Sequence, residues 1–402
     1  MNKSLICGKT LRNAMTIMGI FNGEYAYKGP DCVQIDLTND CNNNCIACWC
    51  NSPLLKDKAT PQAVKRQSID YRVAKRLIDT LKKMHTAELY FSGGGEPLMH
   101  PAAIEIISYA KKRGFKCHLH TNFTLVDEDM LAAFKRIKLD YLVVSLWAAT
   151  AETYVKTHPN KTQDDFIRIR QLLTLLNRTK GCFPKVKIYN VISNLNYQEL
   201  LKMAEFCLET ASEEVEFTVV DTIPGCTDTL LFQQGQADDV LAMCRLMKEN
   251  KEYCTQKGRL IISNFEQFMR RVESEYAGAA EYDRGFIDSI PCYVGWLFAR
   301  VLADGNVNSC LKSHRIPIGN LYKDNFDKIW NNAKQRMFRR CMQSKVKDHD
   351  LLSFIGNDPG KKIGCYKSCD DLGRNMIMHQ KINKLSPVQV RLLKTLATVE
   401  WF

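Results

Sequence analysis

"CVQIDLTNDCNNNCIACWC", residues 32–50, runs from a strand-like segment (32–38) into a polar loop that holds four cysteines. The spacing Cys41-x3-Cys45-x2-Cys48, with Cys50 following, admits a disulfide knot, a zinc site or an iron–sulfur site. The rest of the chain has to choose. Nine of the 17 cysteines in 402 residues fall in two groups: these four, and Cys292, Cys310, Cys341, Cys365 and Cys369. The others, such as Cys207 and Cys244, stand singly in helix- or strand-like segments and read as small buried hydrophobes. A secreted disulfide scaffold is shorter and spreads its pairs evenly, so the clustering points to metal. The N-terminus interleaves Lys3, Lys9 and Arg12 with its apolar residues and lacks a signal-peptide core. No apolar run approaches the ~20 residues that span a bilayer. The chain is therefore expected to be cytoplasmic, with no membrane partner. Its net charge of +12 comes without a basic run, which disfavours nucleic acid and leaves room for an anionic small-molecule substrate.

Outward from the cysteine loop, strand- and helix-like segments alternate. Strands are expected at 32–38, 87–92, 116–121, 141–146, 185–192 and 215–220, each followed by a helix. In the first helix Tyr71, Ala74, Leu77, Ile78, Leu81 and Met84 share one face. Thr162 with Asp165, and Asn196 with Glu199, read as capping boxes. Six such units imply an α/β fold, a partial (β/α)6 TIM-like barrel followed by a small cysteine-rich iron–sulfur domain. The expected divisions are an N-terminal extension (1–29), the barrel (30–260), a helical connector (261–290), the cysteine-rich domain (291–375) and a helical tail (376–402). Active sites of such folds lie at the C-terminal ends of the strands. The cysteine loop after strand one and "SGGGEP" after strand two reach that rim together.

Thiolates select zinc or iron–sulfur clusters. Structural zinc favours two Cys-x2-4-Cys pairs, and Cys50 lies too close to Cys48 to complete a tetrahedral set. A ferredoxin would show four cysteines ending in Cys-Pro, which is missing. Three thiolates instead leave one iron of a four-iron cluster open to a ligand. Cys41-x3-Cys45-x2-Cys48 resembles the signature of the radical S-adenosylmethionine (radical SAM) superfamily. Gly94-Gly95-Glu96 resembles the motif that holds the cofactor's amino group, and Asn122 and Ser145 match positions that hold its carboxylate or ribose. The family often places an aromatic residue just before the third cysteine. Here that position is Ala47 and Trp49 follows, so adenine stacking is expected to be altered.

The second cysteine group resembles the SPASM or twitch extension, with Cys292-x12-Gly305-x4-Cys310 as its opening motif and "IGNLYKDNFDKIW" (318–330) after it. Five thiols are too few for two further clusters. The resemblance implies one auxiliary four-iron cluster on Cys292, Cys310, Cys369 and Cys365, with Cys341 in reserve; a zinc ribbon is the alternative. It also implies S-adenosyl-L-methionine as cofactor, a low-potential electron donor such as flavodoxin or ferredoxin, and reductive cleavage giving a 5′-deoxyadenosyl radical that abstracts hydrogen from substrate.

The leading expectation is an oxidoreductase acting on a small molecule such as a sugar, alcohol or modified metabolite. A peptide maturase is the alternative, disfavoured because about 30 residues precede the first strand; a non-catalytic zinc or electron-transfer protein is the third reading. His118 and His120 share a strand face and become substrate contacts if that face lines the barrel. Trp147, Tyr154 and His158 are expected on a long loop after strand four, and Asp221 as a substrate contact. Cys50 is a hydrogen-atom donor or an idle thiol.

Overall fold

The computed structural model describes residues 3–398 apart from 180, 255–260, 346, 348, 357–363 and 366. Six parallel strands form the barrel wall: β1 (Cys32–Asp36), β2 (Glu88–Ser92), β3 (Lys116–Thr121), β4 (Tyr141–Ser145), β5 (Lys185–Ile192) and β6 (Glu214–Val219). Three more, β7 (Phe298–Val301), β8 (Asn306–Asn308) and β9 (Gly319–Asn320), extend the same sheet. The order is β6-β5-β4-β3-β2-β1-β7-β8-β9, with β7 parallel to β1 and β8 and β9 antiparallel. The sheet therefore runs through the expected boundary at 290/291. The strand that leads into the first cysteine group hydrogen-bonds to a strand between Cys292 and Cys310 of the second.

The strands alternate sharply. Val33, Ile35, Leu89, Phe91, Leu119, Leu142, Val144, Ile188, Val215 and Val219 face outward and are buried under helices. Their neighbours Gln34, Tyr90, His118, His120, Lys187, Tyr189 and Glu216 line an interior cavity. A packed (β/α)8 barrel fills that space with Val, Ile and Leu. Here the inward face is polar and a cavity remains.

Outside, helix Tyr71–Lys83 starts where Asp70 accepts from the Arg72 and Val73 N–H groups at 2.8 and 3.2 Å. Its buried face is Val73, Ala74, Leu77, Ile78 and Leu81, whereas Tyr71, expected on that face, is exposed with Lys75 5.5 Å above its ring. The Thr162–Asp165 box forms: the Thr162 N–H donates to the Asp165 carboxylate at 2.8 Å, and the Asp165 N–H to the Thr162 hydroxyl at 3.3 Å. The Asn196–Glu199 box does not. Asn196 instead donates to the Trp147 and Val191 carbonyls, and Glu199 accepts from the Ala149 N–H and the Thr150 and Thr153 hydroxyls at 2.6–2.8 Å. These buried acceptors outbid a solvent-exposed cap, because each satisfies a donor that would otherwise lose its partner. The segment they hold is not a simple loop: Ala151–Thr157 is helical, capped by Thr150.

In the connector, helix Phe265–Val272 fills the open side of the barrel. Helices Lys3–Asn22 and Pro387–Ala397 pack together, and 399–402 of the expected tail lie outside the described residues. No described helix is long and apolar enough to cross a membrane.

Candidate active site

The cysteine loop leaves β1 at Asp36 and is clamped from two directions. The Asn160 side chain donates to the Asn42 carbonyl at 3.0 Å and accepts from the Asn44 N–H at 3.1 Å, while the Ile46 N–H donates to the Thr157 carbonyl at 2.9 Å. Asn42 donates to the Thr124 hydroxyl at 2.7 Å. The segment after β4 thus supports the loop, which explains why Tyr154 and His158 are buried and stacked at 4.3 Å. They pack the scaffold and do not line the cavity. Trp147 donates its indole N–H to Ser145 at 3.1 Å.

Cys41 and Cys45 open onto a cavity of about 800 Å³ inside the barrel, shared with Gly95, Glu96, Asn122 and Ser145. Burial pushes the Cys41 thiol up to about 11 and the Cys45 thiol to about 12. Such thiols give up their protons to a metal rather than to water. Cys48 is not among the residues lining that cavity; its sulfur accepts from the Cys50 and Asn51 N–H groups at 3.4 Å. Cys50 lies against it and lines a second cavity of about 320 Å³ with Arg300 and His314. Cys50 is therefore outside the barrel cavity, where a hydrogen donor would have to stand.

The glycines of the second motif serve close packing. A Cβ on Gly95 would lie 2.0 Å from the Asp40 carbonyl oxygen, and one on Gly94 2.5 Å from the Asn39 side chain. Glu96 is buried, and its carboxylate accepts from the Thr121 hydroxyl and the Asn122 N–H, both at 2.7 Å, and from the Leu98 N–H at 3.1 Å. All three donors are neutral, so burial dominates and pushes this carboxyl up to about 7. Asn122 links it to the cysteine loop, donating to the Asn42 side chain at 2.8 Å. The buried Asn43 side chain stands at the cavity beside Cys45 and opposes the rise of that thiol's pKa. Among the described residues no three ligands are gathered as for a single metal ion. The chemistry of the donors that share the cavity, two thiols and a carboxylate without a cation, nonetheless fits a cluster with an amino-acid-bearing ligand.

Deeper in, the His118 ring is stacked between Tyr90 (4.2 Å) and Tyr141 (4.6 Å), with its Nε2 3.0 Å from Glu88. Burial opposes ionisation of Glu88, but His118 and Lys116 hold it down at about 2. His120 also faces the cavity, pushed down to about 3 by burial and by the charges of Lys187 and Arg374. The far wall brings residues that motif reading missed: Arg271 and Asn264 from the connector, and Asp370 and Arg374 from beyond the second cysteine group. A signal existed for the strand residues. Strands of a fully covered parallel sheet read as continuous apolar runs, whereas Glu88-x-Tyr90, Lys187-x-Tyr189 and Glu214-x-Glu216-x-Thr218 alternate. Asp221 does not reach the cavity; its carboxylate is 2.5 Å from Lys312.

In the second group burial is the main cause of a raised pKa at Cys292, Cys310, Cys365 and Cys369, and Cys292 lies close enough to raise the other three further, as Cys365 does Cys310 and Cys369. Burial takes Cys292 to about 11 and Cys365 to about 12. Cys341 carries no such coupling to the four. Hydrogen bonds hold the set: the Cys369 N–H donates to the Asp283 carboxylate at 2.7 Å, and the Asn375 side chain donates to the Cys292 sulfur at 3.3 Å.

Comparison with known proteins decides the family: residues 35–207 match the radical SAM superfamily and residues 292–352 the SPASM iron–sulfur cluster-binding domain. The chain carries a radical SAM domain followed by a SPASM iron–sulfur domain. Its domains imply a four-iron cluster, S-adenosylmethionine and auxiliary iron–sulfur as cofactors. It is 23% identical over 337 residues to the antilisterial bacteriocin subtilosin biosynthesis protein AlbA of Bacillus subtilis, covering 81% of this chain and 66% of that protein. It is 26% identical over 315 residues to the AdoMet-dependent heme synthase of Methanosarcina barkeri, covering 77% and 84%. The chain spans less than two thirds of the first curated relatives it matches. Its fold is that of Streptococcus suis SuiB bound to precursor peptide SuiA, with a TM-score of 0.60, 14% identity, and 89% and 76% of the two chains covered.

Proposed function

We propose that this radical SAM protein removes a hydrogen atom from a peptide substrate, the four-cysteine group accepting the electron left behind. The observation that carries the chemistry is the polar barrel cavity with Cys41, Cys45 and Glu96 together on its wall. A four-iron cluster on Cys41, Cys45 and Cys48, with S-adenosylmethionine on its open iron, supplies reductive carbon–sulfur cleavage and a hydrogen-abstracting carbon radical when bound. The chain's own residues do the rest. Glu96 accepts from the cofactor's amino group, and Asn122 fixes that carboxylate relative to the cysteine loop. Ser145 stands at the same cavity for the carboxylate or ribose. Trp49, Phe268 and Tyr189 wall the cavity and keep water from the reacting carbon. Cys292, Cys310, Cys365 and Cys369 fill all four positions of an auxiliary cluster, which favours electron transfer over substrate ligation. A flavodoxin or ferredoxin supplies the first electron.

The peptide substrate is supported by relatives such as AlbA and by the shared fold of SuiB with its precursor peptide. It is preferred to the small molecule expected from sequence, a second reading that the heme synthase relative keeps open. The test is anaerobic turnover of the reconstituted protein with short peptides encoded beside its gene. Loss of two hydrogens, a mass decrease of about 2 Da from a peptide as one hydrogen atom and one electron-plus-proton depart, supports the proposal. Turnover driven by small metabolites alone, with every peptide unchanged, refutes the peptide reading.

A further inference from the structure

Between the two cysteine groups lies a buried charge that neither group's chemistry requires. Lys312 follows Cys310 by two residues, and its side chain is 8% exposed. Its ammonium donates to Asp221 at 2.5 Å and to the Ser368 hydroxyl, lies 3.9 Å from Asp370, and sits 5.6 Å above the Trp49 ring. The partners come from three parts of the centre. Trp49 follows Cys48 directly, Ser368 and Asp370 flank Cys369, and Asp221 follows β6. Trp49 is itself fixed, donating its indole N–H to the Asp221 carbonyl at 2.9 Å. One lysine thus ties the radical SAM loop, the barrel rim and both auxiliary loops together.

We propose that Lys312 is a positioning residue that holds the two cysteine groups in register and sets the electron affinity of the second. This rests on the reading above, in which Cys292, Cys310, Cys365 and Cys369 hold an auxiliary cluster. In the step concerned, the substrate radical gives up one electron and one proton. An oxidised cluster held by those four cysteines would accept the electron and gain one negative charge, while the proton would leave to the surrounding water. A fixed cation two residues along from Cys310 and bonded to Ser368, the neighbour of Cys369, would favour that added charge in a site from which water is excluded. The facing Asp221 opposes it. The two residues therefore have opposite effects on the same equilibrium, whereas a merely structural pair would act alike.

The test is a redox titration of the reconstituted protein followed by electron paramagnetic resonance, with iron counted in the same samples. Lys312→Met is expected to lower the reduced-to-oxidised ratio of the auxiliary cluster about tenfold at fixed potential, a shift of about 59 mV to the negative side for one electron. Lys312→Arg restores the potential toward wild type, and Asp221→Asn moves it in the positive direction. The S-adenosylmethionine-perturbed signal of the first cluster stays at its wild-type potential. Should Lys312→Met fail to retain its second cluster, Asp221→Asn alone decides: a positive shift supports the proposal, and an unchanged or negative one overturns it. Two clusters with unmoved potentials in both variants overturn the role of Lys312 while leaving the auxiliary cluster intact. About four irons per wild-type chain, one cluster's worth, overturn both.

Discussion

Glu96→Gln tests the site's electrostatics before any cofactor is present. In the folded chain burial raises this carboxyl to about 7 from its ordinary value of 4.5. Between those values the folded protein keeps a proton that the unfolded chain has already lost. The contribution of Glu96 to stability therefore falls as pH rises through that window and is constant above it. At ~1.4 kcal/mol per unit the total is about 3 kcal/mol. Gln does not titrate, but its amide NH2 replaces the oxygen that accepts from the Asn122 N–H, a pH-independent loss of ~1–3 kcal/mol. The variant should be the less stable protein near pH 4.5 and should match or exceed wild type by pH 8. Buried neutral histidines pull the other way: burial holds His120 at about 3 and His158 and His314 at about 4, so each adds stability as pH rises toward 6.5. The wild-type curve alone therefore conceals Glu96, and the difference between the two proteins isolates it. Urea denaturation of metal-free protein in reducing buffer should show that difference moving by about 1 M in midpoint across the range, for a slope of ~3 kcal/mol/M. A difference independent of pH from 4.5 to 8 refutes the reasoning.

Other substitutions probe the supports. Asn160→Ala removes two side-chain bonds to the cysteine loop, worth ~1–3 kcal/mol together; faster loss of iron from the first cluster, followed by its absorbance, is the expected result. Cys365→Ser should halve the iron of the reconstituted chain while Cys341→Ser leaves it unchanged, and equal losses would refute the assignment. Arg271→Met strips a buried carboxylate, Asp283, of a partner at 2.9 Å and should cost ~3 kcal/mol in thermal or urea unfolding.

The alternation of strands and helices was readable because outward strand faces and helix faces are both apolar at their own periods. Lys116–Thr121 and Lys185–Ile192 fall where the pattern puts them. Asn196 and Glu199 misled because a capping motif records only local partners, whereas Asn196 is captured by the Trp147 and Val191 carbonyls and Glu199 by donors at residues 149–153. The cavity's far wall was unreadable for the same reason: Arg271 and Arg374 meet across about a hundred residues of chain, on helices whose periodicity says nothing of the cavity they close. Likewise β7 was hidden, since nothing local in "FARV" announces that it will pair with β1.

The central claim, that Cys41, Cys45 and Cys48 hold a cluster that cleaves S-adenosylmethionine, has one direct measurement. The chain is reconstituted without oxygen and given S-adenosylmethionine and a strong reductant, and 5′-deoxyadenosine and iron are quantified beside Cys45→Ala. The account predicts about eight irons, two four-iron clusters, with nucleoside formed by the wild type and none by the variant, which keeps about half the iron. Bound zinc with no nucleoside, or nucleoside formed equally by Cys45→Ala, would contradict it.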